Sequence, residues 1–284
     1  MLTRISSISV APRLKLIFEN NVLQNSLIFG FAVVIGMLTV IVIPGGGSDV
    51  RDAFLPSLHQ WRSPWLEANI MLPWSTLVLM PLRLFSPIVA TIIINVVSVL
   101  MTALTLKRLG GNILLTVPIL VSPIGYWMFT TGQIDALVLG GFLLLPAGYD
   151  LLFFWKPQVV LHALWARVLR SPKIYFMAGF FLISFSFVIW GNWPQAIFNA
   201  AYLSVTNGWW NRSLWPYSIP IGLVFVYLSI KKKDESYGIM ASPLLSPYVN
   251  GSSYIGLVTV VAAKWPKVFL LLYIAFWLYA FYKT

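Results

Sequence analysis

Two carboxylates, Asp49 and Asp52, follow a run of glycines in the segment GGGSDVRDAFLPSLHQWR, and Arg51, His59 and Arg62 are interleaved with them. A carboxylate beside cations suits one kind of chemistry. The carboxylate takes a proton from an attacking hydroxyl, for which it must lie within hydrogen-bond reach of the nucleophile. The cations hold a phosphate leaving group, and the forked guanidinium of Arg51, Arg62 or Arg212 meets two phosphate oxygens at once. Glycines 45–47 let the backbone turn sharply ahead of the pair. If Ser48 caps a short helix, Asp49 and Asp52 share one of its faces, His59 and Arg62 follow at one-turn spacings, and Pro56 kinks it. The alternative is a set of ordinary solvated loop charges.

Three further places carry polar residues beside apolar runs. Gln133 and Asp135, in TGQIDALVLG, stand at one end of such a run. An ionisable residue at that depth is a candidate functional group. Asp135 fits equally well as a helix-start carboxylate complementing the helix dipole. Lys156, in WKPQVVL, is either a phosphate ligand or an interfacial lysine whose stem snorkels along apolar surface. Arg212 lies among Trp209, Trp210 and Trp215 in NGWWNRSLWP. These tryptophans form either an interfacial belt or a surface that stacks on a sugar ring or guides a lipid chain. Asn211-Arg-Ser and Asn250-Gly-Ser fit the glycosylation acceptor pattern, which has meaning only in a eukaryotic secretory context. His162 stands among apolar residues and reads as a satisfied core histidine.

The elements that position these residues are apolar helices. The 284 residues are 59% hydrophobic and only 10% charged, against roughly 25% charged in a soluble domain. Apolar runs of about 20 residues, each long enough for a hydrocarbon core of about 30 Å, recur from end to end. The first run, residues 22–43, is too long for a signal-peptide core, has no small-residue cleavage site after it, and reads as a retained helix. With no cysteine, disulfides and thiolate metal sites are excluded, and the two histidines are too few for a histidine-based metal centre. The net charge of +11 comes from scattered clusters between apolar runs, with no basic stripe interleaved with aromatics, so nucleic acid is not the expected partner. A bilayer is.

Five cationic clusters set the orientation: Arg4/Arg13/Lys15, Lys107/Arg108, Arg167/Arg170/Lys173, Lys231/Lys232/Lys233 and Lys264/Lys267. Placing all five in the cytoplasm yields a consistent path with the N-terminus inside. Residues 22–43 run outward, 44–87 stay outside, 88–106 return, and 112–130 run outward. Further on, 174–190 run outward, 215–230 inward and 268–282 outward, while 238–263 form an outward and inward pair broken at 246–253. Residues 74–85 are too short to span and read as an interfacial or re-entrant helix bounded by Pro73, Pro81 and Pro87. Residues 133–156 either cross once or dip in as two half-helices and return, which places Lys156 on opposite sides in the two cases. No internal repeat or linker is visible. The expectation is an all-α polytopic integral membrane protein, one transmembrane domain over residues 1–284, with about eight spanning helices and interfacial helices in the first outer loop.

Four ordered blocks over most of the chain carry a resemblance. They are SDVRDAFLPSL with LPWSTLVLMPLRLF, then GQIDALVLGGFLLLP, then KPQVVL before a basic turn, and finally WNRSLWPYSIPIGL, KKKDE and ASPLLSPYV. In these the chain resembles polyprenyl-phosphate-sugar-dependent glycosyltransferases of the GT-C superfamily, and is similar to small bacterial members akin to glycosyltransferase family 87. The resemblance implies juxtamembrane helices above a bundle of spans in a bacterial plasma membrane, and inverting transfer of a sugar from a lipid phosphate to an acceptor hydroxyl. It puts the family's catalytic acidic residue, the base that deprotonates the acceptor, on Asp49, with Asp52 as second choice. Arg51, His59, Arg62, Gln133, Asp135, Lys156 and Arg212 become the substrate-binding set. No cofactor is expected beyond the lipid-linked donor; a divalent cation on the outer carboxylates stays open, and the adjacent arginines argue against it. The chain departs from the family in its short length, its compressed 133–156 interval and Val50 where an aromatic often stands. These departures raise the alternative of a catalytically inactive subunit within a larger membrane complex. A transporter is disfavoured because no second related half is present.

Overall fold

Proline and glycine punctuate the apolar runs, and the helices stop and start at them. In the computed structural model the described residues are 22–42, 46–64, 71–206 and 211–283. The cluster Arg4/Arg13/Lys15, Glu67, Trp209 and Trp210 lie outside them. Every regular element among the described residues is helical. Helix α1 is Val22–Val42. A π-helical turn, Val50–Phe54, runs into α2, Leu55–His59. Next come α3, Ser75–Leu79, with a 3-10 turn at Met80–Leu84, and α4, Pro87–Arg108. Helices α5, Thr116–Val121, and α6, Pro123–Thr131, precede α7, Asp135–Leu144. Then follow α8, Pro157–Arg170, α9, Pro172–Trp190, and α10, Trp193–Thr206. The chain closes with α11, Ile219–Lys232, α12, Glu235–Leu244, α13, Ile255–Lys264, and α14, Pro266–Lys283.

Where about eight spans were expected, two helices among the described residues, α4 and α9, are long and apolar enough to cross a bilayer, and α5 with α6 makes a third if that pair, bent by 73°, is one span. The bend falls at Ser122-Pro123. Ser122 caps α6 by accepting from the Gly125 amide, while Pro123 supplies the preset φ of a first helical position. Helices α7, α12 and α13 have ten residues each, about 15 Å of rise, or half a hydrocarbon core. Such half-helices stay in an apolar layer only when other protein covers their ends.

The interval 133–156 resolves as a dip and return. Helix α7 descends from Asp135, a 3-10 turn at Tyr149–Phe153 lies in the returning segment, and α8 starts again beside the start of α7. Two contacts hold the return: the Trp74 indole donates to the Leu151 carbonyl at 3.1 Å, and the Leu72 amide to the Trp155 carbonyl at 3.2 Å. The first loop therefore lies on the return segment. Helices α12 and α13 form the antiparallel pair read from the sequence, broken over 245–254, with Lys264 Nζ 2.5 Å from Asp234 Oδ2 at its base.

The molecule has two polar poles. At the first, Arg108, Arg167 and Arg170 converge on the Glu235 carboxylate. Arg167 also donates to Asp150 at 2.6 Å and to the Leu143 carbonyl at 3.2 Å, and the Tyr175 hydroxyl donates to the same Asp150. Both Asp150 and Arg167 are buried. Four of the five cationic clusters thus gather at one end of the bundle. Between the poles a single apolar core runs from Ala32 on α1 to Phe269 on α14. Helices α8 and α12 pack most closely because Gly238 lies directly on the backbone of His162 and Ala163, the small-residue contact that lets apolar helices approach.

Candidate functional site

The opposite pole holds Asp49, and the polar face of α4 positions it. Thr91, Asn95, Ser98 and Thr102 recur at spacings of three or four and are all buried, forming one stripe. Asn95 Nδ2 donates to Thr39 on α1 at 2.8 Å, and the Ser98 hydroxyl to the Gln133 carbonyl at 3.4 Å. Gly47 rests against Thr91, and its amide donates to the Thr130 carbonyl at 2.8 Å. This pins the start of the first loop to the end of α6. Gly132, at φ +72°, makes the turn after α6, and a Cβ there would meet the Val50 side chain at 2.7 Å. Only glycine combines that backbone with that approach. Asp49 is thereby set against Gln133.

Four of the residues singled out from sequence meet here. Gln133 Nε2 donates to Asp49 Oδ2, while its Oε1 accepts from Lys156 Nζ. Lys156 also reaches Asp135, with Nζ 3.1 Å from Oδ2. Ser252 and Ser253 donate to the two oxygens of Asp135 at 2.7 and 2.9 Å. Asn250 Oδ1 accepts from the Ser253 amide at 3.2 Å and lies 2.6 and 3.1 Å from the two serine hydroxyl oxygens, sharing their protons with Asp135. The order is Asp49, Gln133, Lys156, Asp135, then the serine turn. Gln133, Asp135 and Lys156 are all buried. Lys156 and Asp135 neutralise one another, which a buried charge in an apolar bundle requires.

Burial is the largest influence on Asp49 and raises its proton affinity above that of a free carboxyl. Lys156 and the Ser48 hydroxyl, 3.3 Å from Oδ1, pull the other way, and the charges of Asp135 and Asp52 add smaller upward pushes. A carboxylate that holds its proton more tightly is a stronger base at neutral pH. Burial first, and the charges of Asp49 and Asp135 second, raise the pKa of the Tyr248 hydroxyl above its ordinary value.

The other sequence candidates fall elsewhere. Asp49 and Asp52 do not share a face: Asp52 is exposed and pairs with its neighbour Arg51 at 2.7 Å. The reason is the π-turn, in which the Leu55 amide donates to Val50, five residues back. That wider turn rotates Asp52 away from Asp49. The turn ends against Pro56, which has no amide hydrogen to donate within the helix. The Arg51 hydrogen bond keeps the Asp52 carboxyl below its ordinary pKa. His59 is exposed at the end of α2, and Arg62 is exposed over the Trp61 ring at 5.3 Å. Arg212 borders the site. Its guanidinium lies 5.6 Å from the Trp127 ring centre, and its amide donates to Val249 beside the serine turn.

The sequence reading missed Ser252, Ser253 and the Asp150–Arg167–Tyr175 cluster. A signal for the serines was present, since SPYVNGSSY is the polar break between two apolar half-helices. Asn211 and Asn250, read as glycosylation acceptors, use their side chains to hold backbone and serines in this loop. His162 departs from that reading: it is half-buried, and among the described residues its buried Nδ1 has no hydrogen-bond partner. Among the described residues no group of three or more His, Cys, Asp or Glu side chains could hold a metal ion. No family model, curated protein or solved structure matches this chain.

Proposed function

We propose that the chain is a membrane glycosyltransferase that moves a sugar from a polyprenyl-phosphate donor to an acceptor hydroxyl, with Asp49 as general base. Asp49 takes the acceptor proton as the new bond forms at the anomeric carbon. The bond from that carbon to the phosphate oxygen breaks, and polyprenyl phosphate leaves with the electron pair. Inversion follows from attack opposite the leaving group. Arg212, exposed beside the cluster, takes the phosphate; Lys156 orients Gln133, and Gln133 orients Asp49. The single observation that carries this reading is the meeting of Asp49 with Gln133 and Lys156, which lie 84 and 107 positions further along the chain, at the pole away from the basic clusters. In this reading the chain is a GT-C-like bundle of about eight spans in a bacterial plasma membrane, its basic pole cytoplasmic and its Asp49 pole outside.

The test is sugar release from a panel of polyprenyl-phosphate sugars by protein in liposomes, comparing wild type with Asp49→Asn and Asp52→Asn. Turnover is expected in wild type and Asp52→Asn, with a loss of about 10²–10⁴-fold in Asp49→Asn. Undiminished turnover in Asp49→Asn would remove it as the base. A second reading, a non-catalytic subunit of a larger membrane complex, draws on the closure of the network: Lys156 and Asp135 satisfy one another as they would in a purely structural polar plug. Silence of wild type across the panel, with co-purification of other membrane subunits at fixed stoichiometry, would favour it.

A further inference from the structure

Beginning at the basic pole, a groove of about 560 Å³ opens between the returning segment of the α7–α8 dip and helix α9. Gly148, Tyr149 and Leu152 form one wall, and Met177, Phe181 and Phe185 line the other. Gly148, at φ +92°, brings the backbone close to Ile174 and Ala178 and so sets the floor. The groove walls are apolar side chains, and Met177 and Phe181 remain 70% and 75% exposed. A water-facing surface of this kind would be an aggregation site; on a helix apolar enough to cross a bilayer it faces lipid.

Three features indicate what fills it. The first is length. The α9 wall runs from Ile174 to Phe185, about 16 Å of helix rise, which matches one leaflet of a core about 30 Å thick. The second is charge. Lys173 precedes that wall, is exposed, and stands four residues before Met177 in the row 173, 177, 181 and 185, so it lies over the end of the groove. The third is the tyrosine at the same level. Tyr149 is 63% exposed, and its neighbour Asp150 is held by Tyr175 at the basic pole. An amphipathic ring and a snorkelling lysine together mark the depth of a lipid headgroup.

We propose that this groove binds one acyl chain of an anionic phospholipid, with its phosphate headgroup on Lys173. Basic residues where a membrane helix meets the interface recognise such headgroups. The site is independent of the sugar-transfer reading, and no step of that reaction enters it.

The test places the full chain in phosphatidylcholine vesicles doped with either phosphatidylglycerol or phosphatidylcholine carrying a photoreactive acyl chain, and maps the labelled peptides. Labelling of the groove by phosphatidylglycerol is expected to exceed that by phosphatidylcholine about fivefold. Lys173→Gln should bring the two to the same level. Ala178→Trp should fill the groove and abolish groove labelling by both lipids. Val188→Trp, on the same helix outside the groove, should change nothing. Equal labelling by the two lipids in wild type would overturn the proposal, as would groove labelling that survives Ala178→Trp or disappears in Val188→Trp.

Discussion

Lys156 and Asp135 are 21 residues apart in sequence, and their charged atoms lie 3.1 Å apart at the heads of two helices that run side by side in the same direction. This one ion pair settles the path of the middle of the chain. A single crossing between them would have separated the two charges by the thickness of the bundle. The dip and return instead delivers Lys156 to Gln133 and so to Asp49.

Breaking that pair has an asymmetric cost. Both side chains are buried, so Asp135→Ala leaves an uncompensated lysine and should destabilise the protein by about 3–5 kcal/mol. The double variant Asp135→Leu with Lys156→Met removes both charges and should recover most of that loss. Unfolding midpoints in detergent for the single and double variants check this. A double variant no better than the single would show that the pair is not the coupled unit.

Asp49 should make the folded state sensitive to pH. Burial raises its proton affinity above that of a free carboxyl. Between the ordinary and the raised pKa the folded chain binds more protons than the unfolded one, so stability falls as pH rises through that window. The contribution is whole below the ordinary carboxylate pKa and gone above the raised one. Asp49→Asn removes this titration. Its thermal midpoint should therefore decline less from acid to neutral pH than that of wild type, and should be the higher of the two at neutral pH.

The basic pole should behave as a lock. Arg167 donates to Asp150 and to the Leu143 carbonyl from a buried position. Asp150→Ala removes the nearer of the two carboxylates on that guanidinium, leaving Glu235 at 3.7 Å, and should cost about 3 kcal/mol. Tyr175→Phe removes only one hydroxyl from the same carboxylate and should cost about 1–3 kcal/mol. Unfolding of the two variants under the same conditions checks the order, and a larger loss in Tyr175→Phe would contradict it.

Helix contacts separate two glycines. A Cβ on Gly238 would lie 2.5 Å from the Ala163 amide nitrogen, an atom that cannot rotate away. Gly238→Ala should therefore force α12 from α8 and destabilise by about 1–3 kcal/mol. Among the described residues nothing lies within 4 Å of where a Cβ on Gly30 of α1 would stand, so Gly30→Ala should be neutral or stabilising by up to about 1 kcal/mol. A lowered midpoint for Gly238→Ala beside an unchanged or raised one for Gly30→Ala is the expected readout.

Much of the architecture could be read from residue types alone. Apolar runs set the helices, because in a low-dielectric layer a helix satisfies its own backbone hydrogen bonds. Prolines placed the starts of α4, α6, α8, α9 and α14, because proline fits a first helical turn and breaks a later one. The scattered basic clusters announced a common pole, and Asp49, Gln133, Asp135 and Lys156 stood out as polar residues in apolar surroundings. What local pattern could not decide was partnership. Asp49 and Asp52 look equivalent at a spacing of three. The π-turn ahead of Pro56 turned one inward and left the other to Arg51, and a turn of that kind depends on what the neighbouring chain will accommodate. The side of Lys156, the serines that complete the Asp135 site and the burial of Arg167 on Asp150 are all long-range pairings. Each depends on half-helices whose ends are tolerable only once the rest of the bundle has closed over them, and so tertiary structure alone decided them.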